Sequence, residues 1–80
     1  SVKFLLEGDR VLAIDQPLLF SSMTADSAFF YSQAQHNRLV ISAPYYSPLA
    51  AGRVVALIRS IPGSGDRPER LLVMEIRTST

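Results

Sequence analysis

The sequence is most informative between Leu39 and Ile61, where it reads LVISAPYYSPLAAGRVVALIRSI. An alternating apolar segment runs into Pro44, and a turn at Gly52-Arg53 opens a second apolar segment. Two such segments separated by a connection that contains Pro and Gly predict a β-hairpin. The tyrosines that follow Pro44 lie at the base of this hairpin, where we expect aromatic side chains to line a small cavity.

Length and composition exclude several classes of function. The chain has 80 residues, which suits one domain (residues 1–80) with one modest core. Its formal net charge is +1, and the Lys and Arg residues are spread along the chain, which argues against nucleic-acid binding. The absence of cysteine removes disulfides, thiol nucleophiles and thiolate metal sites. Because the chain enters a strand pattern directly after Ser1, we expect it to be a fragment of a longer protein.

The N-terminal part predicts a second hairpin and a helix. Residues 2–7 and 11–14 are the two strands, with Gly8-Asp9 as the turn, and Asp15 and Pro17 end the second strand. Residues 18–20 are expected to form a short helical turn. Residues 24–36 follow a helical pattern in which Asp26 caps the start and Asn37 suits the exit.

The C-terminal part predicts three more strands. Residues 38–44 form a central strand with Leu39, Ile41 and Ala43 on one face. Residues 53–61 form the longest strand, which is apolar on both faces and therefore expected to be covered on both. Residues 62–70 form a surface loop, and residues 71–76 form the last strand. The predicted order is a hairpin, a helical crossover and three antiparallel strands.

Five short motifs follow one another along the chain. They are Glu7-Gly8-Asp9-Arg10, Phe30-Tyr31-Ser32-Gln33-Ala34, Ile41-Ser42-Ala43-Pro44-Tyr45-Tyr46, Gly52-Arg53-Val54-Val55-Ala56 and Leu71-Leu72-Val73-Met74-Glu75-Ile76. Their order resembles that of Cache domains, PAS-like sensor modules of bacterial transmembrane receptors. The resemblance implies an α+β fold of the PAS/Cache type, a five-stranded antiparallel sheet with short helices on one face.

The same resemblance implies a function. It predicts an extracytoplasmic ligand-sensing domain in a membrane-bound signal-transduction protein, most similar to two-component sensor histidine kinases. The implied partners are a small-molecule ligand, the remainder of the parent transmembrane receptor and a second copy in a homodimer. No cofactor, metal or nucleic acid is expected, and the domain itself is not expected to be an enzyme.

Two departures from the Cache pattern change these expectations. The amino-acid-binding branch of the family has an Arg and an Asp at the positions that are Ala28 and Ser47 here, which argues against a free amino acid as ligand. The long helix that normally precedes the sheet has no counterpart in the sequence. We therefore expect an exposed apolar face and concentration-dependent oligomers.

The candidate ligand-binding residues come from the crossover and from the base of the central hairpin. They are Phe30, Tyr31, Ser42, Tyr45, Tyr46 and Ser47. The tyrosines can present hydroxyl groups to a ligand, although aromatic residues at strand ends also serve simply as core or rim packing. Adjacent helical positions are about 100° apart, so one of Phe29 and Phe30 is expected in the core and the other in a pocket or interface.

Other candidate chemistry has simpler explanations. His36 is expected to be a solvent-exposed group at a helix end. Arg59 lies within an apolar strand and either reaches solvent along its stem or faces an anionic ligand; the sequence leaves both open. The serines lack the setting of a nucleophile, and Pro62-Gly63-Ser64-Gly65-Asp66 lacks the Lys and helix of a phosphate-binding loop.

The sequence also fits two other functions. The chain fits a cytosolic PAS-type dimerisation module that binds no ligand. A third hypothesis is that the chain is an accessory domain of an enzyme. A parent protein with two flanking transmembrane segments would exclude the dimerisation module, and a catalytic domain in the parent would favour the accessory domain.

Overall fold

The computed structural model describes residues 1–15 and 26–78. These residues form six strands and one helix. The bounds are β1 Val2–Glu7, β2 Arg10–Ile14, α1 Ser27–Gln33, β3 Leu39–Ile41, β4 Tyr45–Ser47, β5 Gly52–Ile61 and β6 Arg70–Arg77. The predicted helical turn at 18–20 and the predicted helix start at Thr24 lie outside the described residues. No helix in the described ranges is long and apolar enough to span a membrane.

All the strands belong to one antiparallel sheet. The order is β2-β1-β6-β5-β3, and β4 also pairs with β5. The predicted hairpins are confirmed: β1 pairs with β2, β5 pairs with β6, and both β3 and β4 run antiparallel to β5. The turn between β1 and β2 uses Gly8, whose φ of 58° suits glycine.

The sheet has six strands, so the prediction of five is wrong. The predicted strand of residues 38–44 ends at Ile41, and the chain pairs with β5 again as β4 at Tyr45–Ser47. Pro44, which has no N–H for the ladder, lies in the break between the two strands. Ser42 holds the chain against β5 across this break. Its N–H donates to the carbonyl of Ala56 at 2.8 Å, and its hydroxyl accepts the Ala56 N–H at 2.9 Å.

Strand β3 lies at the edge of the sheet, so the expectation of a central strand is also wrong. Leu39 and Ile41 do share a face, but it is the face without the helix, and they are 58% and 68% exposed. Hydrophobic alternation identifies the strand and its two faces. It does not identify which neighbours the strand has, because those depend on the path of the whole chain.

Asp26 caps the helix as predicted, and the helix ends early. Asp26 is its N-cap, and the carboxylate Oδ1 accepts the N–H of Phe29 at 3.2 Å. The helix has seven residues, because Ala34 already has an extended backbone and the chain then turns through Asn37, whose φ is 57°. His36 therefore lies beyond the helix, in this exposed turn.

The core lies between the helix and one face of the sheet. On β5, Val54, Ala56 and Ile58 are fully buried on this face, whereas Val55 and Leu57 on the opposite face are only half-buried. The expectation that both faces of this strand are covered therefore holds for one face. The buried apolar cluster consists of Val2, Phe4, Leu6, Phe30, Ala56, Ile58, Leu71 and Val73.

Candidate functional site

A cleft of about 460 Å³ opens between the start of helix α1 and strand β4. Its walls come from five places in the chain: β1, the helix, β4, the segment after β4, and β6. Phe4 contributes from β1, and Pro48 and Leu49 contribute from the segment after β4. The cleft is therefore assembled by tertiary contacts between parts of the chain that are distant in sequence.

Aromatic rings line the cleft and contact one another. Phe30 packs edge-to-face against Phe4 at a centroid distance of 5.5 Å and against Tyr45 at 5.6 Å. Phe29 lies 5.0 Å from Tyr45 in a tilted arrangement. Edge-to-face contacts hold rings in fixed orientations, so these rings form a preorganised wall. The expected division between Phe29 and Phe30 is seen: Phe30 is buried and Phe29 is half-buried, and both line the cleft.

A buried carboxylate lies at the base of the cleft. Glu75 belongs to β6, and its alternation with Leu71 and Val73 places its side chain on the helix-covered face. Its neighbours across the sheet are Val2 on β1 and Ala56 on β5, both buried and apolar. Glu75 is only 3% exposed, yet it lines the cleft.

Two hydroxyl groups donate hydrogen bonds to this carboxylate. The Tyr45 hydroxyl donates to Oε2 of Glu75 at 2.5 Å, and the Ser47 hydroxyl donates to Oε1 at 2.6 Å. Both carboxylate oxygens are therefore acceptors, which is the role of an ionised carboxylate. Among the residues that the structure describes, no Lys or Arg side chain forms an ion pair with Glu75. The two hydroxyl hydrogen bonds thus compensate a buried carboxylate without a Lys or Arg partner among the described residues, an arrangement that costs stability.

The two donors are themselves held in place. The Ser47 hydroxyl oxygen accepts the N–H of Ala50 at 3.2 Å, so its hydrogen points to Glu75. Burial raises the pKa of Tyr45 above its ordinary value, and the hydrogen bond and the negative charge of Glu75 raise this pKa further. Tyr45 therefore remains a neutral donor at physiological pH.

Four of the six predicted binding residues meet at this cleft. They are Phe30, Tyr45, Tyr46 and Ser47. Tyr31 and Ser42 lie elsewhere. The Tyr31 hydroxyl donates to the carbonyl of Glu69 and accepts the N–H of Gly8, which ties the helix to two loops. Ser42 is buried in its contacts with β5.

The predicted binding set lacked the buried carboxylate of the cleft, Glu75, and several of its apolar lining residues, such as Phe4 and Leu49. A signal was present, because Glu75 is in phase with Leu71 and Val73 in a strand whose other face is also apolar. Arg59, whose direction the sequence left open, lies on the face without the helix, opposite Leu39 and Leu72, and is exposed. It does not line the cleft.

The cleft has the chemistry of a binding site. The carboxylates of Glu75 and Asp26 and the two oriented hydroxyls can form hydrogen bonds with a ligand, and the rings offer apolar contact. Within residues 1–15 and 26–78, no group of three acidic, His or Cys side chains is placed to hold a metal ion. Comparisons with protein-family models, with curated proteins and with solved structures give no match to this chain.

Proposed function

We propose that this domain binds a small organic molecule in the cleft between helix α1 and strand β4. The observation that carries the proposal is the Glu75 carboxylate, which is buried at the base of the cleft and held by two hydroxyls. A well-packed apolar residue at this position would often stabilise a fold more than a buried charge does. A costly polar group in a cleft is typical of a functional site.

The same proposal includes a role in signalling. A ligand in this cleft contacts both the helix and the sheet, and the proposal is that it binds better to one arrangement of the two than to another. Such a difference in affinity shifts the population of the two arrangements and passes a signal to attached segments. Together with the similarity of the motifs to Cache domains, this supports an extracytoplasmic sensor domain of a membrane-bound protein such as a sensor histidine kinase.

A second candidate function is dimerisation without a ligand. The observation in its favour is the open face of the sheet, the face without the helix, which carries exposed apolar side chains on β3 and β6. They are Leu39, Ile41, Leu72 and Ile76. Exposed apolar groups of neighbouring strands are typical of interaction surfaces.

The test of the ligand-binding proposal is thermal unfolding of the whole chain with a panel of small amines, carboxylates, sugars and nucleobases. A ligand at 100 times its dissociation constant stabilises the folded state by about 2.7 kcal/mol, which raises Tm by several degrees in a domain of this size. We expect at least one class of compound to give such a shift.

Two matched variants locate the binding. Leu49→Trp places a large side chain in the cleft, whereas Leu39→Trp places the same side chain on the open face. We expect Leu49→Trp to abolish the ligand-induced shift and Leu39→Trp to retain it. A panel without any hit on the folded domain, or equal shifts in both variants, would overturn the proposal.

A further inference from the structure

We infer that the ligand of this cleft is a primary organic ammonium ion, with its N–H groups on Glu75 and its carbon skeleton against the aromatic rings. This inference rests on the proposed function and names its ligand class. It is carried by the charge of the cleft, by the free acceptor positions on Glu75 and by the number of rings around them.

The charge of the cleft is negative. Among the described residues that line it, Glu75 and Asp26 are acidic and none is basic. Asp26 is exposed at the start of the helix, where one oxygen caps the N–H of Phe29. An anionic ligand would bring a second negative charge close to Glu75 in a partly desolvated site, which is unfavourable. A cation gains from both carboxylates.

Glu75 still has acceptor capacity. An ionised carboxylate offers about four lone-pair positions, and the hydroxyls of Tyr45 and Ser47 use one on each oxygen. A primary ammonium group has three N–H donors. It can therefore donate to the remaining positions without displacing either hydroxyl, and each such hydrogen bond is charge-assisted and short.

The rings favour the same ligand. Among the described residues, the rings of Phe4, Phe29, Phe30 and Tyr45 line the cleft and contact one another. Tyr46 also borders the cleft, but strand alternation places its side chain on the opposite face of β4 from Tyr45, and it is 63% exposed. The faces of aromatic rings carry partial negative charge and attract organic cations, while the rings also bury the carbon skeleton of the ligand. A free amino acid lacks a partner for its own carboxylate, since no basic side chain of the described part of the chain lines the cleft.

The first experiment compares ligands of similar shape and different charge. Binding of butylamine and phenethylamine to the whole chain is measured by titration calorimetry beside butanol, phenethyl alcohol, butyrate and hydrocinnamate. We expect each amine to bind at least about tenfold more tightly than the corresponding alcohol, since one charge-assisted contact contributes about that factor. We expect the carboxylates not to bind.

The second experiment removes the charge of Glu75. Glu75→Gln keeps the size of the side chain, and we expect it to weaken amine binding by about tenfold or more. Glu69→Gln is the matched control, because Glu69 also accepts a serine hydroxyl, from Ser60, but precedes β6 and lies outside the cleft. It changes the net charge equally, and we expect wild-type affinity. If Glu75→Gln does not fold, the ratio of amine to alcohol affinity of the wild type decides whether the cleft prefers an ammonium ion.

The outcomes distinguish the proposal that the cleft binds a ligand from the inference that this ligand is an ammonium ion. Equal binding of amines and alcohols, absence of amine binding, or unchanged amine affinity in a folded Glu75→Gln would overturn the ammonium inference. A sugar or carboxylate that stabilises the wild type but not Leu49→Trp would overturn it as well, while leaving the cleft as a ligand site. Absence of any ligand in the wider panel would overturn both.

Discussion

Strand β6 departs from an ordinary half-buried strand on both of its faces, at Glu75 on one and at Leu72 and Ile76 on the other. Leu71, Val73 and Glu75 point to the helix-covered face, and the glutamate there is 3% exposed. Leu72 and Ile76 point to the open face and are 49% and 39% exposed. A strand with one buried face normally buries its apolar side chains and exposes its charges.

These departures indicate that neither face is shaped by stability alone. The buried carboxylate costs free energy on one face, and the exposed leucine and isoleucine leave apolar surface in water on the other. Both features fit a domain that makes contacts beyond those of its own core. The helix-covered face offers the cleft, and the open face offers the apolar surface of the proposed dimerisation.

The largest expected contrast is between two neighbouring positions on β5. Ile58→Ala removes a fully buried side chain from the helix-covered face, and we expect the free energy of unfolding to fall by about 2 to 5 kcal/mol. Leu57→Ala removes a half-buried side chain from the open face, and we expect a loss of less than about 1.5 kcal/mol. Urea unfolding measures both. Equal losses would mean that the open face is covered in solution.

A second prediction concerns the helix-covered face and the dependence of its stability on pH. The raised pKa of Tyr45 means that the folded protein keeps a proton that the unfolded chain releases above a pH of about 10. The contribution of Tyr45 to stability is therefore complete below that pH and is lost as the pH rises through the folded-state pKa. Tyr45→Phe lacks this titration.

We expect the free energy of unfolding of the wild type to fall relative to Tyr45→Phe above about pH 10. One proton limits this difference to about 1.4 kcal/mol per pH unit, and solvent around the half-buried ring reduces it. Urea unfolding of both proteins at pH values on either side of about 10 checks the slope. Parallel pH profiles for the two proteins would contradict the role given to Tyr45 on the buried face.

The smallest expected effect on stability concerns the open face. We expect Ile41→Thr combined with Leu72→Thr to change the free energy of unfolding by less than about 1 kcal/mol, because both side chains are largely exposed. The same pair is expected to weaken concentration-dependent association in sedimentation. A wild-type protein that stays monomeric at high concentration would contradict a role of this face in dimerisation.

Much of the local structure could be predicted from the sequence. Turn residues such as Gly8 and the long apolar run of β5 identify hairpins through local backbone preferences. Asp26 identifies the helix start because a side-chain acceptor is needed there. The aromatic pair after Pro44 was predicted to line a cavity, and both tyrosines border the cleft.

Other features were decided only by the tertiary structure. Strand β3 became an edge, and the open face of β6 remained exposed, because the path of the chain sets which neighbours a strand has and the helix covers one face. Likewise, Glu75 meets Tyr45 and Ser47 across about 30 positions of sequence, at separations of 30 and 28. Local preferences act over a few residues, so they determined the elements, whereas the contacts that form the site depend on how distant elements pack.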